Sequence, residues 1–194
     1  LLHVDAVQVV GHRPLQFHTL PIPRTLYLKV NAAHPLLKDI KVRQAISLAI
    51  DRPGIAQAIL REPKAAATQL FSPGMAEWHV PGLQPLVRDP GRARQLLQEA
   101  GWRIEGDQML DAEGKAVSFE FLLAQTEFER VLLPFKRNLS DLGIDLVIRR
   151  VDVSQYINRL RSRDFDLIVS GFGQSNSPGN EQREYWHSSS ADNP

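Results

Sequence analysis

A chain of 194 residues, 43% hydrophobic and 23% charged, has the composition of a folded globular protein and can bury roughly 70% of the surface its unfolded form exposes. Its 23 Lys and Arg stand against 22 Asp and Glu, and no run of like charges reaches five, so the clustered cation that nucleic acid or an anionic membrane requires is missing. The absence of cysteine excludes disulfides, thiolate metal sites and cysteine nucleophiles, and nowhere do 18 apolar residues follow one another.

The amino terminus, Leu1-Leu2-His3-Val4-Asp5, lacks the charged opening and apolar run of a signal peptide, and Asp192-Asn193-Pro194 closes no element. Both ends are therefore expected to be cut from a longer protein. Val4 to Val10 and Leu26 to Val30 read as strands, separated by a link in which Pro14, Pro21 and Pro23 argue against helix. Ile40 to Ile50 has the spacing of an amphipathic helix. Asp51 can cap a second, beginning near Pro53, and Asp89 before Pro90 opens a third that Gly101 ends. The Pro- and Gly-rich stretch from Glu62 to Pro85 is longer than ordinary connectors, which predicts that it packs on the domain or carries function.

The second half alternates more cleanly. Val117, Phe119, Phe121 and Leu123 interleave with Ser118, Glu120 and Leu122, the period of a strand with one apolar face. Thr126 offers an N-cap with Glu129 completing a capping box, and Phe128, Val131, Leu132, Phe135, Leu139 and Leu142 then recur at helical steps until Gly143. Pro134 is expected to kink that helix. Ile144 to Val151 reads as a strand, Asp152 as the cap of a helix anchored by Tyr156, Ile157 and Leu160, and Asp166 to Phe172 as another strand. This βαβαβ run predicts parallel neighbours joined by right-handed crossovers, with Leu48, Val131, Leu132, Phe135, Leu146 and Leu167 in the core.

No residue set here points to catalysis. The histidines, at positions 3, 12, 18, 34, 79 and 187, never fall at metal-helix spacing, and even His187, beside Tyr185-Trp186, reads as a surface residue. Asp164 and Asp166 face one side of a strand entry, but no phosphate loop or second acidic cluster accompanies them, so a solvated strand start is the simpler reading. Glu127 and Glu129 complement a helix amino terminus. Arg149, Arg150, Arg159, Arg161 and Arg163 form a basic rim balanced by Asp152, Asp164 and Asp166. Gly171-Phe172-Gly173-Gln174-Ser175-Asn176 follows a strand as a dinucleotide fingerprint would, but Asn176 replaces the last Gly and no acidic ribose partner follows. Its glycines instead allow backbone to approach a ligand, Phe172 offers an apolar face, and Ser177-Pro178 can open a helix carrying Arg183, Tyr185 and Trp186.

Three segments in order carry a resemblance: Leu26-Tyr27-Leu28-Lys29-Val30-Asn31, then Val42-Arg43-Gln44-Ala45-Ile46-Ser47-Leu48-Ala49-Ile50-Asp51-Arg52, then Ala93-Arg94-Gln95-Leu96-Leu97-Gln98-Glu99-Ala100-Gly101-Trp102. From about Leu26 onward the chain resembles the family 5 extracellular solute-binding proteins, the receptors of bacterial ABC importers for peptides, nickel and related solutes. The resemblance implies an α/β fold, with residues 1–194 as one periplasmic-binding-protein-like (type II) lobe whose mixed, mostly parallel sheet is flanked by helices. That lobe would be the second of two, the first being absent from this sequence. It further implies a binder and not an enzyme, with no cofactor and no resident metal. A small-molecule or peptide ligand would close between the lobes, the membrane subunits of an ABC permease would be partners, and the location would be periplasmic, or extracellular and membrane-associated.

In that family the loop after the FD-containing strand commonly lines the cleft, which makes Phe172, Gly173, Gln174, Ser175 and Asn176, followed by Arg183, Tyr185 and Trp186, the expected ligand-binding residues. Peptide-binding relatives often place an Asp after the aromatic to hold the ligand's α-amine. Gln174-Ser175-Asn176 offers no carboxylate, which puts simple free-amine recognition in doubt. The run from Gly173 to Trp186 resembles the oligopeptide and microcin C branch, while the front half looks as close to the nickel and dipeptide branch. Oligopeptides or peptide-like solutes are the expected ligands, with a nickel/dipeptide-type receptor as the alternative. From other classes, a nucleotide-dependent α/β enzyme domain and a free-standing interaction domain are the rivals.

Overall fold

The alternation from Val117 to Leu123 becomes the centre of a four-stranded sheet. A computed structural model describes residues 24–60, 80–83, 86–173 and 179–190; the expected Val4 to Val10 strand and most of the Glu62 to Pro85 stretch lie outside the described residues. The sheet has the order β1 (Arg24–Val30), β6 (Leu167–Gly173), β4 (Ser118–Leu123), β5 (Asp145–Arg150). The register of β4 and β5 is parallel from Ser118 opposite Asp145 to Leu123 opposite Arg150, and β6 joins β4 in parallel at Leu167 opposite Phe121. β1 closes the other edge antiparallel to β6, from Arg24 opposite Gly173 to Val30 opposite Leu167. The three apolar strands read from the sequence thus share one mixed, mostly parallel sheet.

Helix α4 (Glu129–Ser140) carries the chain from β4 to β5, and α5 (Val153–Arg161) carries it back across β4 to β6. Right-handed crossovers running in opposite directions must leave on opposite faces, and the burial follows. Phe119, Phe121, Leu123, Leu146 and Leu167 face the large core shared with Leu132, Phe135 and Leu139 of α4. Leu122 and Ile168 face the other way, onto Phe165, Tyr156 and Leu160. Leu132, Phe135, Leu146 and Leu167 are buried as expected, whereas Leu48 and Val131 are only partly so.

The family-like motifs build the first layer. Asp39 caps α1 (Ile40–Ala49) by accepting from Lys41 N, and Val42, Ala45, Ile46 and Ala49 are buried. Arg43 donates to the carbonyls of Leu37 and Lys38, and Arg52 to the carbonyl and hydroxyl of Ser47; burial lowers the Arg52 pKa below its ordinary value. Asp51 accepts from Gly54 N at the start of α2 (Arg52–Leu60), and its own amide donates to Asn138 of α4. Asp89 accepts from Arg92 N to open α3 (Pro90–Glu99), whose Ala93, Leu96 and Leu97 pack beside α1. Gly101, at φ +86°, turns the chain so that Trp102 donates its amide to Leu97 and buries its ring.

Two local expectations are corrected, and one element is added. Thr126 does not cap: Thr126–Phe128 forms a 3-10 turn in which Phe128 N finds the Gln125 carbonyl, and α4 opens at Glu129 without a side-chain cap and continues past Pro134. Asp166 is no solvated strand start, being half-buried and accepting from Glu120 N at 2.8 Å. A short hairpin of β2 (Arg103–Glu105) and β3 (Gln108–Leu110) follows α3, and the sequence reading missed it.

Two left-handed glycines separate backbone strain from crowding. Gly106 in the hairpin turn, at φ +61°, has open space where a Cβ would stand, whereas at Gly143, φ +77°, a Cβ would lie 2.7 Å from Met109 N. Gly106→Ala is expected to cost about 1 kcal/mol from the backbone alone, and Gly143→Ala clearly more. Urea midpoints for the pair test this; equal costs would mean that the Gly143 contact relaxes without penalty.

Candidate functional site

The connections after β4 and β5 leave the sheet toward opposite faces, and in open α/β sheets ligands sit outside the carboxyl ends of strands where that divergence opens a crevice. An open cavity of about 330 Å³ occupies this place. The end of β4 contributes Leu122 and Leu123, followed by Ala124 and Gln125, and Phe128 of the 3-10 turn adds an aromatic. Across from them stand Val153, Tyr156 and Ile157 of α5, with Leu26 of β1 and Val169 and Ser170 of β6 along the floor.

The position of α5 is set by its cap and by one ion-pair network. Asp152 accepts from Gln155 N at 2.8 Å. One turn beyond the cavity, Arg159 lies 2.7 Å from Glu120 of β4 and 2.8 Å from Asp164, with Arg149 more loosely placed at 3.9 Å from Glu120. Burial pulls the Arg159 guanidinium down, but hydrogen bonds and charge from Asp164 and Glu120 outweigh it and leave the pKa above its ordinary value. Tyr156 and Leu160 pack onto Leu122 and Ile168. Burial also pushes the Tyr156 phenol upward, so at neutral pH it stays an uncharged hydrogen-bonding group. Ile157, expected as a core anchor, is 40% exposed on the cavity side. Its i, i+4 partner Val153 is 62% exposed on the same face.

The residues expected to bind ligand are distributed as follows. Phe172 and Gly173 end β6 at the carboxyl edge, opposite Thr25 and Arg24. Gln174, Ser175 and Asn176 lie outside the described residues. Arg183, Tyr185 and Trp186 ride on α6 (Asn180–Trp186), which the Tyr185 hydroxyl joins to the strand end by donating to the Gly173 carbonyl at 3.3 Å. Trp186 is 57% exposed, its indole N–H donating to Gln182. His187 keeps to its own turn, with Nδ1 2.8 Å from the Ser189 hydroxyl. Sequence reading missed the wall formed by Leu122 to Gln125 and by Val153 and Ile157. The signal for it was topological: the wall is built from the carboxyl end of one parallel strand and from the helix that follows the next. Among the described residues, no group of three or more His, Asp or Glu is placed to hold a metal, and no helix is long and apolar enough to cross a membrane.

Residues 5–194 match the sequence profile of bacterial extracellular solute-binding proteins, family 5 Middle. A probable peptide-binding protein, YejA of Agrobacterium fabrum, is 40% identical over 116 residues, covering 56% of this chain and 19% of YejA. Among solved structures, the oligopeptide-binding protein AppA of Bacillus subtilis in complex with a nonapeptide superposes with a TM-score of 0.72 at 29% identity, over 88% of this chain and 34% of AppA. NikA of Brucella suis in complex with Fe(III)-EDTA gives a TM-score of 0.69 at 26% identity, over 81% of this chain and 32% of NikA. The chain therefore spans about a fifth to a third of the length of these proteins.

Because Asp152 sets the start of α5 and so the cavity's outer wall, Asp152→Ala is expected to cost about 1 kcal/mol through loss of the cap. A lower urea midpoint with an unchanged slope checks it, and an unshifted midpoint would show that the Arg159 network alone holds the helix.

Proposed function

Since the chain belongs to the bacterial extracellular solute-binding proteins of family 5, we propose that it is one lobe, the second of two, of the substrate-binding component of a bacterial ABC importer. Its solutes are oligopeptides or peptide-like molecules. It binds without catalysing: the second lobe closes over the solute by a hinge motion, and the closed form is presented to the permease in the membrane from the periplasmic or outer side. The observation that carries this reading is the open cavity at the carboxyl end of β4, walled by α5 and lined along β1 and β6, and built of neutral side chains. The likeness to AppA with its nonapeptide and to YejA supports peptides as the solute class. A metal-chelate solute is a second reading, favoured by the likeness to NikA with Fe(III)-EDTA.

A cleft between two lobes offers only one wall when one lobe is removed, while small-molecule sites normally enclose most of their ligand. Calorimetry is therefore expected to give a peptide affinity for the full-length receptor that residues 1–194 alone lose by orders of magnitude, although they fold. In the full-length protein Phe172→Ala weakens binding about tenfold or more without lowering the urea midpoint. Submicromolar binding by residues 1–194 alone points instead to a self-contained binding domain. Tight binding of Fe(III)-EDTA in place of peptides shifts the solute class to chelates.

A further inference from the structure

We infer that the wall supplied by this lobe is a subsite for one uncharged, apolar side chain of the bound peptide, seated between Leu123 and Phe128 on one side and Val153 and Ile157 on the other. The inference rests on the peptide-receptor reading and adds to it the chemistry of the group recognised. Among the described residues that line the cavity none is charged; its polar groups are the Gln125 amide and the hydroxyls of Tyr156 and Ser170. A Lys or Glu side chain placed there would give up its hydration without gaining a countercharge. Leu or Phe would cover apolar surface that otherwise faces water.

The apolar lining is not a by-product of folding. Helix α5 already has a core-facing side, Tyr156 and Leu160, packed on Leu122 and Ile168. Val153 and Ile157 form a second apolar stripe that faces the cavity, and across the floor Leu26 is 49% exposed. The ion pairs that fix α5 are gathered one turn lower, around Arg159, Glu120 and Asp164, leaving the cavity wall neutral. The size suits a single large side chain, since a dry cavity of about 150 Å³ already admits benzene and this one measures about 330 Å³ while remaining open toward the rest of the peptide.

The test uses the full-length receptor and hexapeptides identical except at one position, carrying Leu, Phe, Ala, Lys or Glu, with that position moved along the peptide. Calorimetry is expected to find one position at which Leu or Phe binds about tenfold or more tighter than Lys or Glu. Ile157→Lys and Val153→Lys, both at exposed positions and each checked for an unchanged urea midpoint, are expected to shrink that preference below about threefold. Binding with a preference that neither substitution alters places the apolar subsite elsewhere and overturns the inference, leaving the receptor reading intact. Binding with no preference at any position overturns it as well. Failure of every peptide in the series to bind overturns the peptide-receptor reading itself, and the subsite with it.

Discussion

The sheet depends on a knot of hydrogen bonds at its base. Asn31, the last residue of the extended motif that begins at Leu26, donates its backbone amide to the Asp166 carbonyl and its side-chain amide to the carbonyls of Arg163 and Phe165. Asp166 in turn accepts from Glu120 N through its carboxylate, which also lies 3.6 Å from His34 Nε2. β4 and β6 meet in register at Phe121 and Leu167, so the carboxylate extends that seam downward by one further hydrogen bond where ladder pairing gives out. The Asn31 side-chain amide thus also holds the carbonyl of Arg163, a residue in the left-handed region at φ +58° where the chain passes from α5 toward β6. With the bottom of β1, β4 and β6 fixed in this way, the upper ends of the strands are fixed too, and those ends carry the cavity.

This division of labour explains which parts of the molecule the sequence made legible. Periodicity and capping read through clearly: Asp39 aside, the caps at Asp51, Asp89 and Asp152 were recognisable from the residue type and from what followed, and each accepts an amide of its helix's first turn. The alternation in Val117 to Leu123 was legible because one face of β4 packs against a large core, while the opposite face needs only Leu122 to meet α5. What failed were features decided by contacts distant in sequence. Asp166 looked solvated because nothing local shows that Glu120, 46 residues earlier, would bring its amide to the carboxylate. Thr126 had the right residue type for a cap, but a 3-10 turn used the position. The β2–β3 hairpin was missed although Gly106-Asp107 between its strands is turn chemistry that could have revealed it.

The candidate site was less legible than the fold, for a reason visible in the motifs. The residues that mark the chain as a relative, Arg43, Ser47, Asp51 and Arg52 in one segment and Ala93, Leu97, Gly101 and Trp102 in the other, hold turns, helix starts and core contacts. They fix the scaffold and leave the solute open. The cavity wall is made of Leu, Val, Ile and Phe, which in a one-dimensional reading cannot be told from core. Ile157 shows the difficulty: its spacing from Tyr156 and Leu160 fits a buried anchor, yet it is 40% exposed and lines the cavity. Only the three-dimensional fold separates the apolar residues that close the core from those that line the cavity.

The central claim is that the two helical motif segments, residues 42–52 and 93–102, lie apart from the candidate site at the carboxyl edge of the sheet. Hydrogen exchange on the full-length protein, with and without a saturating peptide, tests it most directly. The account predicts that added protection gathers in residues 122–125, 153–157 and 167–173, with amides of residues 42–52 and 93–102 unchanged. Protection centred on those two motif segments, with the carboxyl edge of the sheet unaffected, would contradict it.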